Sequence, residues 1–125
     1  MSHFTTIQTQ IRDLAALREA CREMGIEVVE NAVARGYRSN QHRGEYVIKL
    51  QGPYDIAVNR LPDGTFGLTT DCWGGHVERE VGPNYGRLLQ LYGLHKARIE
   101  AQRKGYTVRR QSLADGRIKL VIGGV

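Results

Sequence analysis

The chain has 125 residues, 41% hydrophobic and 25% charged, which fits one globular domain and excludes a disordered or fibrous chain. Eighteen Lys and Arg against thirteen Asp and Glu give a formal charge of +5 and a pI near 9.5, so any charge-driven partner is acidic. Two cysteines, Cys21 and Cys72, are too few for a disulfide framework, and no apolar run suits a leader or a membrane span; the expectation is a soluble, cytoplasmic protein without membrane contact.

Residues 4–11 alternate β-branched side chains at Thr5, Ile7, Thr9 and Ile11, which predicts a first strand. Asp13 is a good N-cap, and Leu14, Leu17, Cys21 and Met24 form one apolar stripe closed by Gly25, predicting a helix over 13–24. Residues 26–30 predict a short strand, whereas 31–44 show no period and read as a loop. The stretch 45–50 alternates Tyr46, Ile48 and Leu50 with Glu45, Val47 and Lys49, and 54–60 repeats the pattern at Tyr54, Ile56 and Val58. Pro62-Asp63-Gly64 is a turn signal that pairs 54–60 with 65–70 as a hairpin.

Glycines 74, 75 and 82 with Pro83 break the segment 71–83, which reads as an irregular connection. A long helix over 84–104 places Leu88, Tyr92, His95 and Ile99 on one stripe and Leu91, Leu94, Ala97 and Ala101 on the next, so much of it should be buried. Gly105 closes that helix, and residues 106–111 and 117–122 predict two strands joined through Ala114-Asp115-Gly116. Both halves of the chain then read strand, helix, strand, strand. The expected fold class is α+β: a mixed or antiparallel sheet of about six to seven strands with two helices on one face, in two pseudo-symmetric βαββ halves.

Cys72, Trp73 and His76 share one glycine-rich stretch and form a candidate reactive loop, because a thiol beside an imidazole can serve as a nucleophile. The plainer reading is a loop thiol packed beside Trp73, since no cysteine-hydrolase signature accompanies it. His3, His42, His76 and Cys72 lack the CxxC, HxxxH or HExxH spacing of a metal site, and no phosphate-binding glycine motif is present. No metal, no cofactor and no catalytic residue is therefore expected, and His95, on an apolar stripe, reads as a core histidine.

The charge is unevenly distributed. Residues 31–44 carry three arginines and no acid, and residues 81–125 carry nine basic against two acidic groups. The first cluster, Arg35, Arg38 and Arg43 with Tyr37 and His42, can track phosphates and stack on a base. The second comprises Arg98, Arg103, Lys104, Arg109 and Arg110, at the end of the long helix and the start of the next strand. Solvated arginines and a complement to a helix C-terminus are the plainer reading of both.

The pattern Met1-Ser2-His3-Phe4 followed by Ile7-x-Thr9-x-Ile11-x-Asp13, the helix Leu14…Leu17…Met24-Gly25, Arg35-Gly36-Tyr37, Tyr54-Asp55-Ile56 and Gly105-Tyr106-Thr107-Val108 together resemble a family of hypothetical proteins from red-algal and related plastid genomes and from cyanobacteria. The resemblance spans nearly the whole chain and departs from the family pattern between residues 72 and 84 and in the arginine-rich second half. It implies a cytoplasmic or stromal protein of a photosynthetic lineage and carries no reaction. The residues favour a small non-enzymatic binding or adaptor protein acting through a protein partner or self-association. Nucleic-acid binding by the two basic clusters, and a thiol-dependent enzyme at Cys72, are the alternatives.

Overall fold

The computed structural model describes residues 4–124, so His3 and the start of the Met1-Ser2-His3-Phe4 pattern lie outside the described residues. Its elements are β1 (Phe4–Gln8), α1 (Leu14–Glu23), β2 (Glu27–Arg35), β3 (Gln41–Lys49), β4 (Ile56–Arg60), β5 (Phe66–Asp71), α2 (His76–Val81), α3 (Gly86–Arg103), β6 (Thr107–Ser112) and β7 (Ile118–Gly123). The fold is α+β. All strand pairs are antiparallel, but they divide into a five-stranded sheet ordered β1-β5-β4-β3-β2 and a separate two-stranded sheet, β6-β7. The first half runs β1-α1-β2-β3, strand, helix, strand, strand, whereas the second inserts α2 and runs β5-α2-α3-β6-β7.

One face of the large sheet carries the main core. Ile48, Ile56, Val58, Phe66 and Leu68 meet Leu17, Ala20 and Cys21 of α1 and Leu88, Leu91 and Tyr92 of α3. Each large side chain fully withdrawn from water there stabilises the fold by about 1.5–3 kcal/mol. The Asp13 carboxylate accepts the Ala16 N–H at 3.2 Å and caps α1. The Tyr92 hydroxyl accepts the N–H groups of Arg12 and Asp13, both at 3.1 Å, and so ties α3 to the start of α1. Burial pushes the Cys21 thiol up to about 12, as suits an inert core residue.

The second face is covered by the β2–β3 hairpin itself. A straight β2 would carry Arg35 about 26 Å from Glu27, at 3.3 Å per residue. Glu27 pairs with Lys49, near the start of β4, yet the Arg35 carbonyl accepts the Asp55 N–H at 3.0 Å. The hairpin therefore doubles back across the sheet, bending where Asn31 takes a φ of 48°. Ala34 packs on Val47 and Ala57, whose neighbours Ile48, Ile56 and Val58 face the helices. The crossing needs small residues: a Cβ at Gly44 would lie 3.1 Å from Val58 N and 3.2 Å from Ala57 Cα.

Two expectations are corrected here. Residues 31–44 form no long loop, because β2 runs on to Arg35 and β3 starts at Gln41. The inward positions of this arm are Ala32, Ala34 and Gly44, chosen by close approach rather than by hydrophobicity, so no apolar alternation marks it. The segment 71–83 holds a helix, α2, flanked by short 3-10 turns at Trp73–Gly75 and Pro83–Tyr85. Val77 and Val81 bury one side of it, and six residues are too few to show a helical period.

The β6–β7 hairpin is fastened to the helices through Glu23. Arg110 donates to both carboxylate oxygens at 2.7 Å, and His95 Nε2 donates to Oε1 at 2.8 Å. The Arg110 hydrogen bonds hold Glu23 down to about 2, against an ordinary 4.5. A carboxyl whose folded value lies below its unfolded one adds stability above the unfolded value, and that stability is lost as pH falls through the folded one. The hairpin is expected to loosen between about pH 4.5 and pH 2. Faster amide exchange in β6 and β7 over that range, abolished as a pH dependence by Glu23→Gln, checks it.

Candidate functional site

Asp71, at the end of β5, organises the surface that brings the sequence candidates together. Its carboxylate is fully buried and accepts the Tyr37 N–H at 2.8 Å through Oδ2 and the Trp73 N–H at 2.9 Å through Oδ1. One side chain thus clamps the tip of the β2–β3 hairpin to the chain leaving β5. Gly36 permits this approach, since a Cβ there would lie 3.2 Å from Asp71 Oδ2 and only 2.5 Å from Phe4 Cζ. The tip closes by Gly36 N–H donating to the Asn40 carbonyl at 2.8 Å, with Arg38 at a φ of 59°.

The rings that result lie in a row. Tyr37 and Trp73 have centroids 4.8 Å apart, Trp73 and His76 are 6.3 Å apart, and His76 meets Tyr54 edge-on at 5.2 Å. The Arg38 guanidinium sits 5.3 Å over the Tyr37 ring, within cation–π range. Phe4 and His42 pair at 5.6 Å nearby. Arg79 of α2 donates to His76 Nδ1 at 3.2 Å and to the Gly74 carbonyl at 3.1 Å, fixing the turn. Trp73 is 43% exposed, the largest side chain that the described surface leaves open.

A groove of about 470 Å³ opens on the helix side of β1, next to this row. Thr5 and Ile7 of β1, Cys72, Val77 and Val81 of α2, and the buried Tyr85 line it. Its rim holds unusual backbone: Gly82, Asn84 and Tyr85 all have φ between 54° and 85°. Asn84 and Tyr85 carry side chains, so each left-handed residue there costs about 1–2 kcal/mol that the rest of the fold sustains.

The structure therefore gathers Tyr37, Arg38, His42, Trp73 and His76, which the sequence separates into two unrelated candidates. Cys72 and His76 diverge: the thiol faces the groove while the imidazole faces Tyr54 and Arg79, and among the described residues no hydrogen bond joins the two. Arg35 points elsewhere as well, because its Nε and Nη2 donate to Asp55 at 2.8 Å each and Nη2 also to the carbonyls of Leu50 and Gly52. Arg110 is engaged by Glu23. Arg43, Arg103, Lys104 and Arg109 are exposed. Tyr54, Arg79, Phe4 and the groove residues other than Cys72 were not among the sequence candidates. Only folding juxtaposes them, and no local motif marks them.

Among the described residues no group of three or more His, Cys, Asp or Glu side chains is placed to hold a metal ion, and no helix is long and apolar enough to cross a membrane. A family model described as a protein of unknown function (DUF1257) matches residues 20–121. An uncharacterized protein ycf35 from Pyropia yezoensis is 31% identical over 126 residues, covering 98% of this chain and 96% of that relative. No solved structure matches the chain.

Proposed function

The chain belongs to the DUF1257 family of proteins of unknown function, the uncharacterised family with a red-algal member that its motifs resemble, and within it we propose a small, single-domain binding or adaptor protein, cytoplasmic or stromal, that docks a protein partner. The observation that carries this reading is the row of half-buried Tyr37, exposed Trp73 and half-buried His76, with the exposed Arg38 over Tyr37, beside an apolar groove. Trp, Tyr and Arg are the residues that dominate binding energy at protein interfaces, most of all where a pocket adjoins them. The carboxylate of Asp71 holds two of these residues by their backbone, so little ordering cost remains on docking.

In-cell crosslinking from a photoreactive residue at Arg38 is expected to trap a protein partner. Trp73→Ala should lower the trapped amount at least tenfold, in line with a hot-spot loss of about 2 kcal/mol. Trp73 is the only tryptophan in the chain, so its emission also reports engagement directly. Unchanged trapping by Trp73→Ala removes the proposed surface.

The Arg38–Tyr37–Trp73 stack favours a second reading, single-stranded nucleic acid stacking on the rings with His42 nearby and Arg43, Arg103, Lys104 and Arg109 as further phosphate contacts. That reading requires affinity falling steeply between about 50 and 200 mM salt. Affinity independent of salt excludes it.

A further inference from the structure

We infer that the outer edge of β7 accepts an acidic, extended segment of a partner protein, which adds to the β6–β7 sheet as a third strand. The first support is the open backbone. At the β6–β7 turn Leu113 N–H donates to the Arg117 carbonyl at 2.8 Å, and Gly116 N–H closes the turn onto the Leu113 carbonyl at 3.1 Å. Counting along the antiparallel register from that bond, Lys119, Val121 and Gly123 turn their backbone groups toward β6. The N–H and C=O groups of Ile118, Leu120 and Ile122 therefore point away from β6, and among the described residues β7 pairs with no other strand. A two-stranded sheet is marginal by itself, which leaves a third strand energetically welcome.

The two edges differ. β6 has Arg109 and Arg110 adjacent on its edge, the kind of charge that blunts strand addition. Along β7 the run Leu120-Val121-Ile122 is apolar without proline, and Ile122 is 50% exposed. Its side chains sort by face. Arg110 bonds Glu23 and Ile118 packs on the main core, so Ile118, Leu120 and Ile122 share the inward face. Arg109, Lys119 and Val121 share the outward face.

Charge selects the occupant. β6 and β7 contain three basic residues and no acid. The two acids of residues 81–125 are already paired, Glu100 with Lys96 at 2.9 Å and Asp115 with Arg117 at 2.6 Å. An added strand thus meets Lys119 and Val121 of β7 on one face, with Arg109 one strand further on, and Leu120 and Ile122 on the other, which fits alternating acidic and apolar residues. A second copy of this chain would bring like charge to the same edge and fits worse. This edge lies in the β6–β7 sheet, apart from the Trp73 surface, and the inference stands whether or not that surface docks a partner.

The test uses the full chain and a fluorescein-labelled peptide of about nine residues alternating Glu and Val. Binding is expected to exceed that of the Lys-for-Glu peptide, and of an acidic peptide with proline at alternate positions, by at least tenfold, and to slow amide exchange at Leu120 and Ile122. Lys119 is exposed, so Lys119→Glu should keep the fold and weaken the acidic peptide on the order of tenfold. Equal binding of the proline peptide means mere polyanion attraction and overturns the inference. Slow exchange at Leu120 and Ile122 in peptide-free dimers means that a second copy fills the edge, and overturns it too.

Discussion

Asp55→Ala is expected to lower the unfolding free energy by about 3–5 kcal/mol, a large part of the 5–15 kcal/mol margin usual for a domain. Asp55 is completely buried at the point where the β2–β3 arm comes down on the start of β4. Its carboxylate accepts the Arg35 N–H at 2.9 Å, the Leu50 N–H at 3.2 Å, and Arg35 Nε and Nη2 at 2.8 Å each, with Lys49 Nζ at 3.5 Å. Arg35 and Lys49 are 47% and 34% exposed and regain water when the carboxylate is removed, so the loss does not come chiefly from stranded cations. The two backbone N–H groups cannot follow them out, and each unsatisfied donor costs about 1–3 kcal/mol.

The pH dependence has a defined sign. Burial pushes the Asp55 carboxyl up, but the Arg35 guanidinium and the N–H groups of Arg35 and Leu50 outweigh it and hold the group below its ordinary value of 3.8. Its contribution is therefore present above about pH 4 and disappears as pH falls through the lower folded value. Asp55→Asn, which keeps the volume and one acceptor, should lose less than Asp55→Ala and should flatten the acid limb. Urea unfolding at pH 7 and pH 3 measures both. A loss under about 1 kcal/mol for Asp55→Ala would show that the arm is held by the Ala34–Val47–Ala57 packing instead.

That network also marks where sequence reasoning reaches its limit. The helix over 13–24, the hairpin from Pro62-Asp63-Gly64 and the strands at each end were legible because each depends on neighbours along the chain: a cap, a turn dipeptide, a short period. The fold-back of the β2–β3 arm depends on contacts between residues twenty or more apart, such as Arg35 with Asp55 and Tyr37 with Asp71. Arg35 in a polar stretch reads as a solvent-facing cation; only the bend at Asn31 brings it over a buried carboxylate. The site was half legible for the same reason. Tyr37, Arg38, Trp73 and His76 stand out by residue type, but nothing in the chain order says that a hairpin tip closes on the turn after β5.

Asp71→Ala separates the two jobs of that closure, stability and display. Both carboxylate oxygens accept a backbone N–H from segments that have no strand pairing with each other, so removing them leaves the Tyr37 and Trp73 donors without that acceptor and a void beneath Gly36. The stability loss is expected at about 2–4 kcal/mol. Display should suffer more, because the Tyr37–Trp73 ring contact at 4.8 Å depends on both backbones being held. Asp71→Asn is the sharper probe. An asparagine offers one oxygen and one NH2, so it can serve only one of the two N–H groups and turns a donor toward the other. The Asn variant should therefore stay folded while Trp73 emission shifts to the red and crosslinking from Arg38 falls by about as much as in Trp73→Ala. An unshifted emission with undiminished crosslinking would mean that the rings hold each other, through packing and the Arg38 contact, without the carboxylate between them.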